Sequence, residues 1–179
     1  MATPTTLPAS FTAGQVLTAA QMNALRGAFR VLQVVTTTKT DTFTSSSTTM
    51  TDITGITVSI TPQSATSQIL VLAQINACND SGVQYLQLQL LRGSTAIDIG
   101  DAASNRSRVS AQVDSETGAF VTTPLVFLDS PATTSATTYK IQGRNTGAGT
   151  FYVNRSKTDA DSATNGRSAS TITVMEISA

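Results

Sequence analysis

Apolar residues alternate with polar ones along most of this chain. Ile56, Val58 and Ile60 alternate with Thr57 and Ser59, Leu86, Leu88 and Leu90 with Gln87 and Gln89, and Ile172 and Val174 with Thr171 and Thr173. A period of two places one side of a strand on a core and the other in water, as in antiparallel sheets. The pattern predicts strands near 31–37, 52–61, 67–77, 83–92, 95–100, 106–113, 119–129, 136–145, 150–155 and 169–177. The stretch from Gln68 to Ile75 is apolar on both parities and reads as a central strand. Turn signals recur between these runs: Thr61-Pro62, Asn79-Asp80-Ser81-Gly82, Arg92-Gly93-Ser94, Gly147-Ala148-Gly149 and Asn165-Gly166. Many short strands with frequent turns point to a sandwich, jelly roll or barrel. The Ser/Thr-rich run Thr36 to Thr51 reads as a loop or a weak edge strand.

Before Val31 the period differs. Residues 1 to about 16 lack periodicity, carry Pro4 and Pro8, and read as an extended arm. Residues 18–30 read as one short helix. Thr18 and Gln21 make a capping-box pair. Met22, Leu25, Phe29 and Leu32 follow at helical spacing, and Arg26 and Arg30 lie on a neighbouring strip. So short a helix is marginal alone and needs a cover for its apolar stripe. That cover is either its own sandwich or copies of itself about a threefold axis, and the second is favoured here. The division expected is 1–33, arm and helix for attachment or trimerisation, and 34–179, the β-sandwich.

Composition narrows the function classes. The 179 residues include 32 threonines and 20 serines but no histidine or tryptophan, one cysteine and two glutamates. Lysines and arginines number 11, as do aspartates and glutamates. A nucleic-acid binder needs a basic surplus, so none is expected as a partner. Histidine acid/base chemistry and histidine metal sites are excluded, and Cys78 alone makes neither a disulfide nor a zinc site. The N-terminus lacks a signal-peptide pattern. The longest apolar run, Ile69 to Ala73, is far too short to span a bilayer, so no membrane insertion is expected.

The remaining candidates have modest readings. Asp159, Asp161 and Asn165-Gly166 faintly resemble a calcium loop, but Ser170 stands where a late glutamate is needed. A solvated hairpin loop is the better reading. Cys78 reads as a small buried residue. No G-x-S-x-G or S-x-x-K motif accompanies the serines, so no catalytic, cofactor or metal residues are assigned and no enzyme activity is expected. Glu176 shares the parity of Ile172 and Val174, so burial there would demand an arginine or another donor.

The segment Phe11-Thr-Ala-Gly-Gln-Val-Leu-Thr-Ala-Ala-Gln-Met-Asn-Ala-Leu resembles the N-terminal segment of many tailed-bacteriophage tail-fibre and virion proteins, with the pattern F-x-x-G-x-V-L-T-A-A-x-hydrophobic-N. The stretches from Val34 to Phe43, Thr54 to Pro62 and Ser67 to Val71 are similar to small phage structural proteins with a β-sandwich body. So are Leu91 to Ile97 and Ser170 to Ile177. The resemblance implies a homotrimeric jelly roll, similar in outline to tumour-necrosis-factor-like trimers, that resides in the virion and binds other virion proteins. A short tail fibre or tail appendage is the favoured placement, with a capsid decoration or head-fibre protein as the alternative. A stand-alone module binding host surface glycan is a third reading. The assembly or attachment residues expected are Phe11, Val16, Leu17, Met22, Leu25, Phe29 and Leu32.

Overall fold

The computed structural model describes residues 13, 14, 16–19, 21, 22, 31–80, 84–114 and 118–178. Among these residues eleven strands succeed one another: β1 Val31–Lys39, β2 Phe43–Ser45, β3 Thr51–Ile60, β4 Gln68–Asn79, β5 Leu86–Arg92, β6 Thr95–Ile97, β7 Ala111–Val113, β8 Val121–Asp129, β9 Thr137–Asn145, β10 Phe151–Val153 and β11 Ser170–Ile177. All pairings are antiparallel.

The first sheet holds β1, β2, β4, β8, β10 and β11, and the second holds β3, β5, β6, β7 and β9. Each sheet reduces to four columns. In the first, β1 and β2 are collinear, as are β11 and β10, and the order is β1/β2, β11/β10, β4, β8. In the second, β6 and β7 share one side of β5, so the order is β3, β9, β5, β7/β6. Taken in chain order, the eight columns alternate between the sheets except from β5 to β6/β7, which are neighbours in one sheet, as in a jelly roll. The strand β4 is central, as its two apolar parities predict.

Alternation explains the core. Ile56, Val58, Ile60, Leu86, Leu88, Leu90 and Ile141 face Ile69, Val71, Ile75, Phe151, Ile172 and Val174 across the interior, all buried. A buried polar bridge crosses it at one end. The Tyr139 hydroxyl of β9 donates to Asp129 Oδ2 at 2.7 Å, and Arg92 of β5 donates to Asp129 Oδ1 at 2.8 Å. Burial, then the bond to Asp129, raise the Tyr139 phenol above its ordinary range.

Two breaks in the ladders are filled by side chains. The register of β3 on β9 shifts between Asp52 and Thr57, where Gly55 adopts φ +86°. A β-carbon there would meet the buried Lys39 side chain at 3.4 Å. Lys39 reaches out from under Gly55 to pair with Asp41 at 2.8 Å. The second break lies between β10 and β11. There Asn154, at φ 62°, donates to the carbonyl oxygens of Lys39 and Asp41, both at 2.9 Å, and accepts from the Ser170 hydroxyl at 2.6 Å. Asparagine is among the residues that tolerate this backbone region. The short strand β2 lies within the run expected to be loop or weak edge.

Before β1, the capping box predicted at Thr18 is formed. Gln21 N–H donates to Thr18 Oγ1 at 3.2 Å, and Thr18 N–H to Gln21 Oε1 at 2.9 Å. Met22 N–H donates to Thr18 O at 3.0 Å, the first helical bond. Leu25 and Phe29, like Phe11, lie outside the described residues. Leu32 corrects the expected stripe, because it belongs to β1. The β-branched run from Val34 to Thr38 favours extended chain, and it draws Val31 to Gln33 into the sheet. The register shifts between Val31 and Gln33, which leaves Leu32 as the extra residue of a bulge.

Candidate assembly surface

The two sheets differ sharply on their outer faces. On the second sheet the outward rows are polar and cross-linked. Lys140 pairs with Asp52 at 2.8 Å, and Gln142 donates to the same carboxylate at 2.7 Å. These two contacts, Lys140 first, hold Asp52 below its ordinary pKa. Arg144 donates to Gln87 at 3.0 Å, and Gln87 donates to Gln112 at 3.0 Å. Ser59 and Thr138 share a hydroxyl hydrogen bond at 2.8 Å.

The first sheet presents aligned rows with no charge. One row runs Val34, Met175, Leu70, Leu128 across β1, β11, β4 and β8. The next runs Thr36, Thr173, Leu72, Val126, and the third Thr38, Thr171, Gln74, Pro124. Hydroxyl pairs link Thr36 to Thr173 at 2.9 Å and Thr38 to Thr171 at 3.3 Å. Toward β8 the face becomes aliphatic. On β8 Val126 is 63% exposed and Leu128 48%, and at the opposite edge Val34 of β1 is 54% exposed. Between the second and third rows lies an open groove of about 300 Å³, lined by Leu72, Gln74, Pro124, Val126, Thr171 and Thr173. Pro124 lies on β8, which pairs only with β4 among the described strands, the kind of edge position to which strand prolines are confined. These aliphatic side chains stand side by side along the aligned rows.

Among the predicted assembly residues, Val16, Leu17 and Met22 are exposed, at 87%, 41% and 48%. Leu32 lies at the start of β1, beside the apolar row that begins with Val34. Sequence reasoning missed the outer face itself. Its signal was the double apolar parity of Leu70 and Leu72, which placed β4 centrally but was not read as a surface.

The other candidates resolve structurally. Glu176 is fully buried, and its donors are neutral rather than an arginine. Gln33 Nε2 donates to Oε2 at 2.6 Å and Gln63 N–H to Oε1 at 2.7 Å. Burial pushes its pKa up, but these hydrogen bonds outweigh it and hold the carboxyl below its ordinary value. Cys78 is buried, donates to Arg155 O at 3.4 Å, and has its pKa pushed up to about 11, chiefly by burial. Asp159 is taken up by Arg167 at 2.7 Å and Arg155 at 3.3 Å. Among the described residues no group of three acidic or sulfur ligands gathers to hold a metal. No described helix is long and apolar enough to cross a membrane.

The fold and face define an antiparallel jelly roll with one polar and one uncharged outer surface. No family model matches the sequence, and neither does any curated protein. Among solved structures, one match is to infectious bursal disease virus VP2 in its subviral particle. It has 12% sequence identity and a TM-score of 0.43, over 82% of this chain. The chain spans only 38% of that protein's length.

Proposed function

We propose that this protein is a structural component of a bacteriophage virion: a homotrimer docked through its N-terminal segment, placed as a short tail fibre or tail appendage. The observation that carries the reading is the segment Phe11 to Leu25, with its resemblance to virion attachment segments. The capping box at Thr18 and Gln21 supports the expected helix start, and the exposed aliphatic rows supply a surface suited to self-association. The role is mechanical. The N-terminal segment holds the particle, copies associate through uncharged faces, and the polar outer sheet faces solvent and the host surface.

Two measurements test it. Light scattering of the full chain should give three times the monomer mass, and a stable monomer would overturn the trimer. Gold-labelled antibody against this chain should decorate the tail of intact particles. Labelling spread over the head would replace tail placement with capsid decoration, and unlabelled particles would overturn the virion reading.

A further inference from the structure

We propose that Asn165 is a site of spontaneous covalent modification, converting to isoaspartate and aspartate through a cyclic imide formed with Gly166. The chemistry is independent of the proposed function, and only its placement on the particle rests on that reading.

The step needs a backbone nitrogen that can turn onto the preceding carboxamide. Gly166 supplies it. Glycine has no β-carbon to shield the attack and has the widest backbone range of any residue. The Gly166 N–H makes no hydrogen bond among the described residues, so no bond must break before it moves. Gly166 is exposed, Asn165 is half-buried, and residues 157–164 before them are exposed. The hydrogen bonds of Asn165 are local to the loop. Its N–H donates to Ser162 O at 3.0 Å, and its Nδ2 donates to Ala160 O at 3.1 Å. Such loop tips open at little cost.

The Gly166 nitrogen attacks Asn165 Cγ and closes a five-membered imide. The Cγ–Nδ2 bond breaks, and ammonia leaves with the proton from the Gly166 nitrogen. Water then opens the imide. Cleavage at Cγ gives aspartate. Cleavage at the main-chain carbonyl gives isoaspartate, with the chain now running through Cβ and Cγ. Nothing is oxidised or reduced.

The other described asparagines each lack a condition for this reaction. Asn76, Asn79, Asn145 and Asn154 are buried. Asn105 is exposed, but Arg106 after it carries a side chain, and the Arg106 N–H is held by Ala103 O at 3.1 Å.

The product changes the charge of the loop. Positions 155–167 hold three cations, Arg155, Lys157 and Arg167, against Asp159 and Asp161. Conversion adds a third carboxylate and removes the surplus. This loop leads into Ser170, whereas Val31 at the start of β1 pairs with Ile177 at the other end of β11. The loop therefore stands at the end of the sandwich away from the start of β1, which is the outward end when the N-terminal segment holds the particle.

The test incubates purified full-length protein for weeks at body temperature and mildly alkaline pH in heavy-oxygen water, followed by peptide mapping with mass spectrometry. The peptide holding position 165 should lose its amide, gain one heavy oxygen and separate into two forms, with isoaspartate in excess. Asn105 should convert more than about tenfold more slowly, as its successor has a β-carbon. Folded protein should convert within about tenfold of the urea-unfolded chain, because the loop leaves the site open. Gly166→Ala should slow conversion more than about tenfold by shielding the nitrogen. A β-carbon there meets the Phe120 ring at 3.5 Å, an ordinary contact, so the variant should keep its unfolding midpoint. Asn165 left intact, Asn105 converting as fast, Gly166→Ala converting as fast, or folded protein protected beyond that tenfold range would each overturn the inference. Intact Asn165 leaves the virion reading standing, and unlabelled particles leave this chemistry standing.

Discussion

Gln33 and Glu176 share a 2.6 Å hydrogen bond that ties the first strand of the body to the last. The same carboxylate receives the Gln63 N–H from the β3–β4 connection. One buried anion thereby fixes three separate parts of the chain. Glu176→Gln places an amide among groups that already donate, so it should cost about 2 kcal/mol near pH 7, read by urea unfolding.

The pH dependence of that term has a definite sign. The folded pKa of Glu176 lies below its ordinary value of 4.5, so the folded state binds its proton less readily than the unfolded state. Its contribution is complete above about pH 4.5 and is lost as pH falls through the lower folded value. Unfolding midpoints measured down to about pH 3 should fall less steeply for Glu176→Gln than for wild type. Parallel curves would remove Glu176 from the acid response.

Asn154 should be as sensitive. Asn154→Ala strands the carbonyl oxygens of Lys39 and Asp41, removes the acceptor of Ser170, and puts at φ 62° a residue that lacks the polar side chain by which asparagine tolerates it. The expected loss is about 3 kcal/mol, from unmet buried groups and the left-handed backbone together. Asn154→Gly keeps the backbone relaxed and should lose less. Equal losses in the two variants would show that backbone conformation contributes nothing here.

Most strands were legible because alternation is a local signal. Ile56-Val58-Ile60 and Leu86-Leu88-Leu90 state their buried face within five residues, and both lie in the core. The capping box was legible for the same reason. Leu32 was not, since its spacing suits a helix while its place in a bulge depends on β11, more than a hundred residues away. The outer face also depends on register. Leu70, Leu72, Val126 and Leu128 are adjacent only because β4 and β8 pair. Glu176 was half legible: its parity announced burial, but its donors lie on β1 and the β3–β4 connection.

Cys78 should resist thiol reagents in the folded state. Its sulfur is buried, and a pKa of about 11 leaves almost no thiolate at pH 8. A disulfide-exchange dye at about pH 8 should find no reactive thiol in native protein and one per chain in denaturant. Rapid native labelling would contradict the burial.

Calcium should leave stability unchanged. Asp159 is paired with Arg155 and Arg167, so a divalent cation would have to displace two guanidinium groups. Thermal unfolding in millimolar calcium and in chelator should coincide, and a rise of several degrees with calcium would reinstate the loop as a cation site.

The excursion between β10 and β11 is closed at its base by the Ser170–Asn154 bond, the Ser168 N–H on Asn154 O, and the Arg155–Arg167 bridge. Residues 157–164 beyond that clasp are exposed. Doubling the length of such a loop costs only about 0.6 kcal/mol. The clasp, with the Lys157 N–H on Gly118 O and the Asp159 ion pairs, therefore separates two kinds of inheritance in one chain: the sheet stays fixed while the tip at residues 160–164 can lengthen or accept a grafted peptide without breaking a strand pairing.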